Sequence, residues 1–120
     1  ESKPQHVIDQ VKRKAARLRE PIIACLGLAF KANVDDLRES PALDITKQIT
    51  EIEGARVLVS EPHIAALPKG LEGKCELLDA DEAIKEADIV LLLVDHKVFG
   101  SLSKPVLAEK MIIDTRGFWK

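Results

Sequence analysis

The stretch that decides the fold covers residues 22–45 and reads IIACLGLAFKANVDDLRESPALDI. Its apolar first five residues end at Gly27, which is how the first strand of a nucleotide-binding α/β domain ends. Ser40 then predicts a helix N-cap, with Pro41 at the first helical position. A dinucleotide-binding G-x-G-x-x-G loop is missing, because the second and third glycines are absent. The stretch therefore indicates a buried parallel strand, a charged loop and a helix.

Strand and helix patterns alternate along the rest of the chain. Before Pro21, apolar residues recur every three or four positions and predict an amphipathic helix: Val7, Ile8, Val11, Ala15 and Leu18. A second helix is predicted from Pro41 until Gly54 ends it. Further strands are predicted at 56–59, 75–78, 88–94 and 111–114, and helices at 81–87 and within 103–110. This alternation predicts an α/β fold, a doubly wound, Rossmann-like parallel sheet of about five strands with helices on both faces.

Composition narrows the class of protein. The 120 residues carry 18 basic and 20 acidic side chains, so no long-range field attracts nucleic acid or an anionic membrane. The longest apolar run, residues 89–94, is too short to cross a bilayer, and no signal-peptide pattern opens the chain. These features predict a cytoplasmic protein. Cys25 and Cys75 lack a C-x-x-C spacing and a partner base, so neither is predicted as a metal ligand or a nucleophile.

In doubly wound sheets, ligands bind beyond the carboxyl ends of the strands, at the switch point where the winding reverses. If the strand order is 3-2-1-4-5, this switch point lies between the first and fourth strands. Gly27 to Lys31 lie at this edge, as do Asp95, His96 and the residues after the fifth strand, including Arg116. Gly27, Lys31 and Arg116 suit an anion, and Arg38 lies near the free amides of the Pro41 helix. The competing interpretation is that these charges form solvated ion pairs and that His96 is an ordinary hydrogen-bonding residue.

Three segments together resemble one known family: LGLAFKANVDDLRESPALDI at 26–45, ADIVLLLVDHKVF at 87–99 and IIDTRGFWK at 112–120. They are similar to the C-terminal, sugar-nucleotide-binding domain of the UDP-glucose/GDP-mannose dehydrogenase family. Residues 1–20 resemble the end of that family's central helical segment, which leaves 21–120 as the binding domain. The resemblance implies an enzyme that oxidises the C6 alcohol of a UDP-sugar to a carboxylate in two NAD-dependent steps.

Residue by residue, the resemblance implies that Phe30, Lys31 and Arg116 contact the sugar nucleotide, beside Gly27, which lets the backbone pass close to a ligand. It implies that Arg38 approaches the NAD phosphates. The family's NAD-binding domain and catalytic cysteine have no counterpart in this sequence, so we expect the chain to bind a UDP-sugar without catalysing. The partners implied are its own N-terminal NAD-binding domain and further copies in a homo-oligomer.

Two interpretations from other functional classes stay open on the sequence. The chain has the size of a receiver-like regulatory module, in which paired acids such as Asp35 and Asp36 hold Mg²⁺ beside a phosphoaccepting aspartate. It also has the size of a structural or dimerisation domain without a ligand. Stabilisation by UDP, by Mg²⁺ with a phosphoryl mimic, or by neither distinguishes the three.

Overall fold

One parallel sheet organises the chain. A computed structural model describes residues 3–29, 40–102, 104–116, 118 and 119, with the side chains of residues 3 and 4 left undescribed. The strands are β1 (Ile22–Leu26), β2 (Arg56–Ser60), β3 (Glu76–Leu77), β4 (Ile89–Leu92) and β5 (Met111–Asp114). Their order is β3-β2-β1-β4-β5, and all neighbours pair in parallel. The predicted fold class is therefore confirmed, and the strand order is the one for which the switch point was located.

Helices cover both faces of the sheet. They are α1 (Lys3–Ala15), α2 (Pro41–Ile49), α3 (Ala80–Glu86) and α4 (Lys104–Leu107), with 3₁₀ turns at Lys69–Leu71 and Lys97–Ser101. Apolar residues of α1 and α2 pack against one face, and those of α3 and α4 pack against the other. In the part of the chain described here, no helix combines the length and apolar character that crossing a membrane requires.

Burial from both sides explains the continuous apolar strands. In β1 and β4 every residue from Ile23 to Leu26 and from Ile89 to Leu92 has 0% of its surface exposed. A strand covered by helices on both faces has no polar side to present to water, so its sequence does not alternate. The same logic places the predicted apolar stripe of α1 in the core, where Val7, Ile8 and Val11 are buried.

Element boundaries differ from the predictions at several places. The predicted helix to Gly54 ends instead at Ile49, because the amides of Glu51 and Ile52 bond to carbonyls three residues back and turn the chain. The strand predicted at 88–94 forms its ladder only over Ile89–Leu92. The two 3₁₀ turns are absent from the sequence prediction, since segments of three and five residues carry too little periodicity to recognise.

Candidate functional site

The end of β1 has a geometry that only glycine fits. Gly27 adopts φ +97°, and a Cβ added there would lie 2.6 Å from the Cβ of Val94. The Gly27 amide donates to the carbonyl of Ser60 at the end of β2, at 2.8 Å. The glycine at the predicted site is thus required by a positive φ and by close packing with the segment after β4.

Arg116 lies at the same edge, beside the end of β4. Its Nε donates to the carbonyl of Leu93 at 3.1 Å, and the hydroxyl of Thr115 donates to that of Leu92 at 2.7 Å. Because the Leu93 amide in turn donates to the carbonyl of Leu26 in β1, at 3.0 Å, one short segment after β4 contacts both neighbours. The structure therefore brings Gly27 and Arg116, two predicted site residues, to a common edge.

The other three predicted site residues, Phe30, Lys31 and Arg38, lie outside the described residues. The residues on either side of that stretch are joined, since the hydroxyl of Ser40 donates to the carbonyl of Leu28 at 2.6 Å. Ser40 also accepts from the amide of Leu43 at 3.3 Å, which confirms the predicted N-cap of α2.

A buried carboxylate that sequence reasoning missed holds the backbone that follows Gly27. Glu61, the residue after β2, is 3% exposed, and its Oε1 accepts from the amides of Leu28 at 2.8 Å and Ala29 at 3.0 Å. The same Oε1 lies 2.8 Å from Nε2 of His96, which is fully buried. Oε2 accepts from the amide of His63 at 3.0 Å. The available signal was an acid directly after a buried strand, at the edge where ligands bind.

Hydrogen bonds keep this carboxylate ionised in spite of its burial. Burial alone raises the pKa of Glu61, but the bonds from His96 and from the amides of Leu28 and His63 outweigh it and hold the pKa below the ordinary 4.5. With the carboxylate charged, the short contact to His96 requires a proton on Nε2. His96 is therefore a hydrogen-bonding residue, as one sequence interpretation held, and its ring packs edge-on against Phe99 and His63.

Within the described ranges, one group of side chains has the composition of a metal site: Glu61, His63 and His96, with ligand atoms within 4.8 Å of one another. A metal ion would need a lone pair on the imidazole nitrogen it contacts. At His96 Nε2 that lone pair is replaced by the proton shared with Glu61, and Oε1 of Glu61 already accepts from two amides. The contact between Glu61 Oε1 and His96 Nε2 therefore has the geometry of a hydrogen bond between two side chains.

The two thiols are poor nucleophiles. Burial raises the pKa of Cys25 to about 12 and that of Cys75 to about 11. Each is therefore protonated at neutral pH, whereas nucleophilic attack requires a thiolate. That neither cysteine is catalytic stays a prediction.

Two cavities, each of about 600 Å³, are lined by residues that the structure describes. The first opens beyond β2 and β3 and is bordered by Asp79, Asp81 and Glu82, acids that disfavour an anionic nucleotide. The second lies among apolar groups that include Leu107, Phe118 and Trp119. Neither is lined by Gly27 or Arg116. The edge after β1, β4 and β5 thus remains the candidate site.

Comparison with known proteins identifies the class of this domain. Residues 24–120 match the model of the UDP-glucose/GDP-mannose dehydrogenase family, UDP binding domain. The chain is 53% identical over 119 residues to the NDP-N-acetyl-D-galactosaminuronic acid dehydrogenase of Ralstonia solanacearum, covering 99% of this chain and 28% of that protein. It is 44% identical over 126 residues to the UDP-N-acetyl-D-mannosamine dehydrogenase of Escherichia coli K12, covering 98% and 30%.

Solved structures share the fold. The UDP-N-acetyl-mannosamine dehydrogenase Cap5O from S. aureus superposes with a TM-score of 0.79 at 32% identity, over 99% of this chain and 28% of that one. A UDP-glucose dehydrogenase from Pyrobaculum islandicum gives 0.80 at 25% identity, over 97% and 27%. The chain thus spans less than a third of the length of the proteins it matches. With four fifths of its residues under the family's UDP binding domain, the chain belongs to the UDP-glucose/GDP-mannose dehydrogenase family.

Proposed function

We propose that this chain binds the UDP-sugar in an NAD-dependent nucleotide-sugar 6-dehydrogenase, and that it binds without catalysing by itself. The observation that carries the proposal is the match of residues 24–120 to a UDP binding domain. For the protein that carries this chain we propose the conversion of UDP-N-acetylmannosamine to UDP-N-acetylmannosaminuronate. The relative named for N-acetylgalactosaminuronic acid makes N-acetylgalactosamine the competing sugar.

The residues proposed to contact the UDP-sugar are Gly27, Phe30, Lys31 and Arg116. Support comes from the convergence of Gly27 and Arg116 on the segment after β4, at the switch point of the sheet. Arg116 is exposed, and its Nε is bonded to Leu93, so the position of its guanidinium at this edge is fixed by the backbone. A planar guanidinium held in this way suits the oxygens of a diphosphate.

NAD is proposed to be bound mainly by an N-terminal domain of the longer protein, with Arg38 approaching its phosphates. The described edge does not fit a dinucleotide pyrophosphate by itself: a single glycine follows β1, and the space beside its Cα is filled by Val94. When bound, NAD supplies the hydride acceptor for the oxidation. This chain contributes the sugar-nucleotide side of the cleft.

The proposal that the chain does not catalyse rests on its thiols. The family chemistry expected from the resemblance needs a thiolate beside C6 of the sugar. Cys25 and Cys75, with pKa values of about 12 and about 11, do not supply one at neutral pH. We therefore place the nucleophile in the part of the protein outside this chain, and propose its N-terminal domain, a UDP-sugar and further copies of itself as its partners in the cytoplasm.

A titration of the ¹⁵N-labelled 120-residue chain with UDP tests the binding proposal. We expect saturable shifts of amide signals at residues 27–31 and 114–116, with an affinity of roughly 4–6 kcal/mol because part of the cleft is missing. Mixing the chain with NAD and a UDP-sugar is expected to produce no NADH. Shifts caused by Mg²⁺ with a phosphoryl mimic favour the receiver alternative, and no response to any ligand favours a structural or dimerisation domain.

A further inference from the structure

One carboxylate holds the backbone that follows Gly27. Among the donors to Glu61 are the amides of Leu28 and Ala29, the two residues that precede Phe30 and Lys31. We propose that Glu61 is a positioning residue for UDP binding: it fixes the backbone of Leu28 and Ala29 beside Gly27, at the edge proposed to bind the nucleotide, and His96 holds Glu61 in place. This inference rests on the proposed function and adds to it the residues that hold this backbone.

The geometry explains why a carboxylate is needed at this position. Two amides and the imidazole of His96 converge on the single oxygen Oε1, at 2.8, 3.0 and 2.8 Å. An anionic oxygen accepts several donors at once and binds each more strongly than a neutral oxygen does. With Glu61 only 3% exposed, these bonds are largely shielded from solvent, which strengthens them. A glutamine keeps the shape of the side chain but loses the charge and half of its acceptor atoms.

The three groups come from three neighbouring strands. Glu61 follows β2, the amides of Leu28 and Ala29 follow β1, and His96 lies four residues beyond β4. Because β1 lies between β2 and β4, the backbone that follows it is held by a residue beyond each of its neighbours. The Gly27 amide adds a further bond to Ser60, the last residue of β2. Glu61 therefore links the end of β2 to the backbone that follows β1.

Replacing Glu61 by glutamine tests the positioning role, with Glu76→Gln as the matched control. Glu76 belongs to β3 and is exposed, and it pairs with Arg56 at the start of β2, at the far end of the sheet. In Glu61→Gln we expect hydrogen exchange at the amides of Leu28 and Ala29 to accelerate at least tenfold and the Kd for UDP to rise about tenfold. Glu76→Gln should change neither by more than about twofold.

His96 provides a second pair of variants, which also covers the case in which Glu61→Gln fails to fold. Glutamine at position 96 keeps an N–H donor near the place of Nε2, whereas phenylalanine fills similar volume without a donor. We expect His96→Phe to accelerate exchange at Leu28 and to weaken UDP binding several-fold, and His96→Gln to recover most of the affinity. Recovery by the conservative variant separates a hydrogen-bonding role from simple packing.

The outcomes separate the two proposals. If the unaltered chain shows no binding of UDP, the proposed function fails, whatever the exchange of the loop amides. If the unaltered chain binds UDP and folded Glu61→Gln binds it equally well, the positioning role fails while the proposed function stands. Equal UDP affinity in His96→Phe and His96→Gln overturns the part assigned to His96.

Discussion

At the residue scale, Gly27 is the position where backbone and packing demands meet. A side chain there would be strained by φ +97° and would collide with Val94, because the added Cβ would lie only 2.6 Å from the valine Cβ. We expect Gly27→Ala to lower the free energy of unfolding by about 2–4 kcal/mol. This value adds the cost of an alanine with a positive φ to the cost of overpacking against Val94. Urea unfolding measured by circular dichroism checks this value.

Gly54 is the control for that prediction. Its φ is +82°, but nothing lies within 4 Å of a Cβ added there. Gly54→Ala therefore adds the backbone strain without the collision and should cost about 1–2 kcal/mol. Equal losses in the two variants would mean that the contact with Val94 relaxes freely and that φ alone requires a glycine at position 27.

A second prediction at this scale concerns the pH dependence of Glu61. Its pKa in the folded chain lies below the ordinary 4.5, because hydrogen bonds to the carboxylate outweigh its burial. A lowered pKa stabilises the folded state above the pKa of the unfolded chain, and this contribution is lost as the pH falls through the folded value. The difference in unfolding free energy between the unaltered chain and Glu61→Gln should be about 1–3 kcal/mol at neutral pH. It should shrink below pH 4.5.

Urea unfolding of both proteins between neutral and acidic pH measures this difference. Other carboxylates are common to the two proteins, so their titration cancels in the subtraction unless it is coupled to Glu61. A difference that stays constant down to acidic pH would show that Glu61 titrates alike in the folded and unfolded chain, against the bonds from His96 and the two neighbouring amides.

At the scale of elements, the start of α2 is bonded to the backbone that follows β1. Ser40 is buried, caps the helix through the amide of Leu43 and donates to the carbonyl of Leu28. Ser40→Ala removes both bonds and should destabilise the fold by about 1–3 kcal/mol. Thr50→Ala at the other end removes only the bond to Lys47 at the surface and should change stability by less than about 0.5 kcal/mol. Thermal unfolding compares the two, and similar shifts in Tm would contradict the cap.

The same helix shows what local sequence can and cannot predict. Its start was predictable, because Ser40 and Pro41 act through bonds within one turn. Its end was not predictable in the same way. The sequence predicted that Gly54 stops the helix, but α2 ends at Ile49, where the amides of Glu51 and Ile52 bond to carbonyls three residues back. The strands β1 and β4 were predictable for a related reason: burial on both faces leaves an uninterrupted apolar run, from Ile23 to Leu26 and from Ile89 to Leu92.

At the scale of the whole molecule, the sheet order brings distant residues together. Glu61 and His96 are 35 positions apart, and no spacing in the sequence indicates that they touch. Gly27 and Arg116 were predicted to share an edge only because parallel strands end on the same side of the sheet. The rule locates the edge but not the contacts within it, which depend on packing between strands that are remote in sequence.

The final prediction tests that edge as a ligand site. Arg116→Lys keeps the positive charge but replaces the planar fork with a single ammonium, so UDP affinity should fall by about 1.5–3 kcal/mol. Stability should change little, since the side chain is exposed. Arg56→Lys is the control, because Arg56 is also exposed and pairs with Glu76 and Glu86 at the opposite end of the sheet. Calorimetric titration with UDP and thermal unfolding are measured on both variants. Unchanged UDP affinity in Arg116→Lys, or an equal loss in Arg56→Lys, would place the nucleotide away from the switch point and leave Arg116 as a residue that only ties the end of β5 to Leu93.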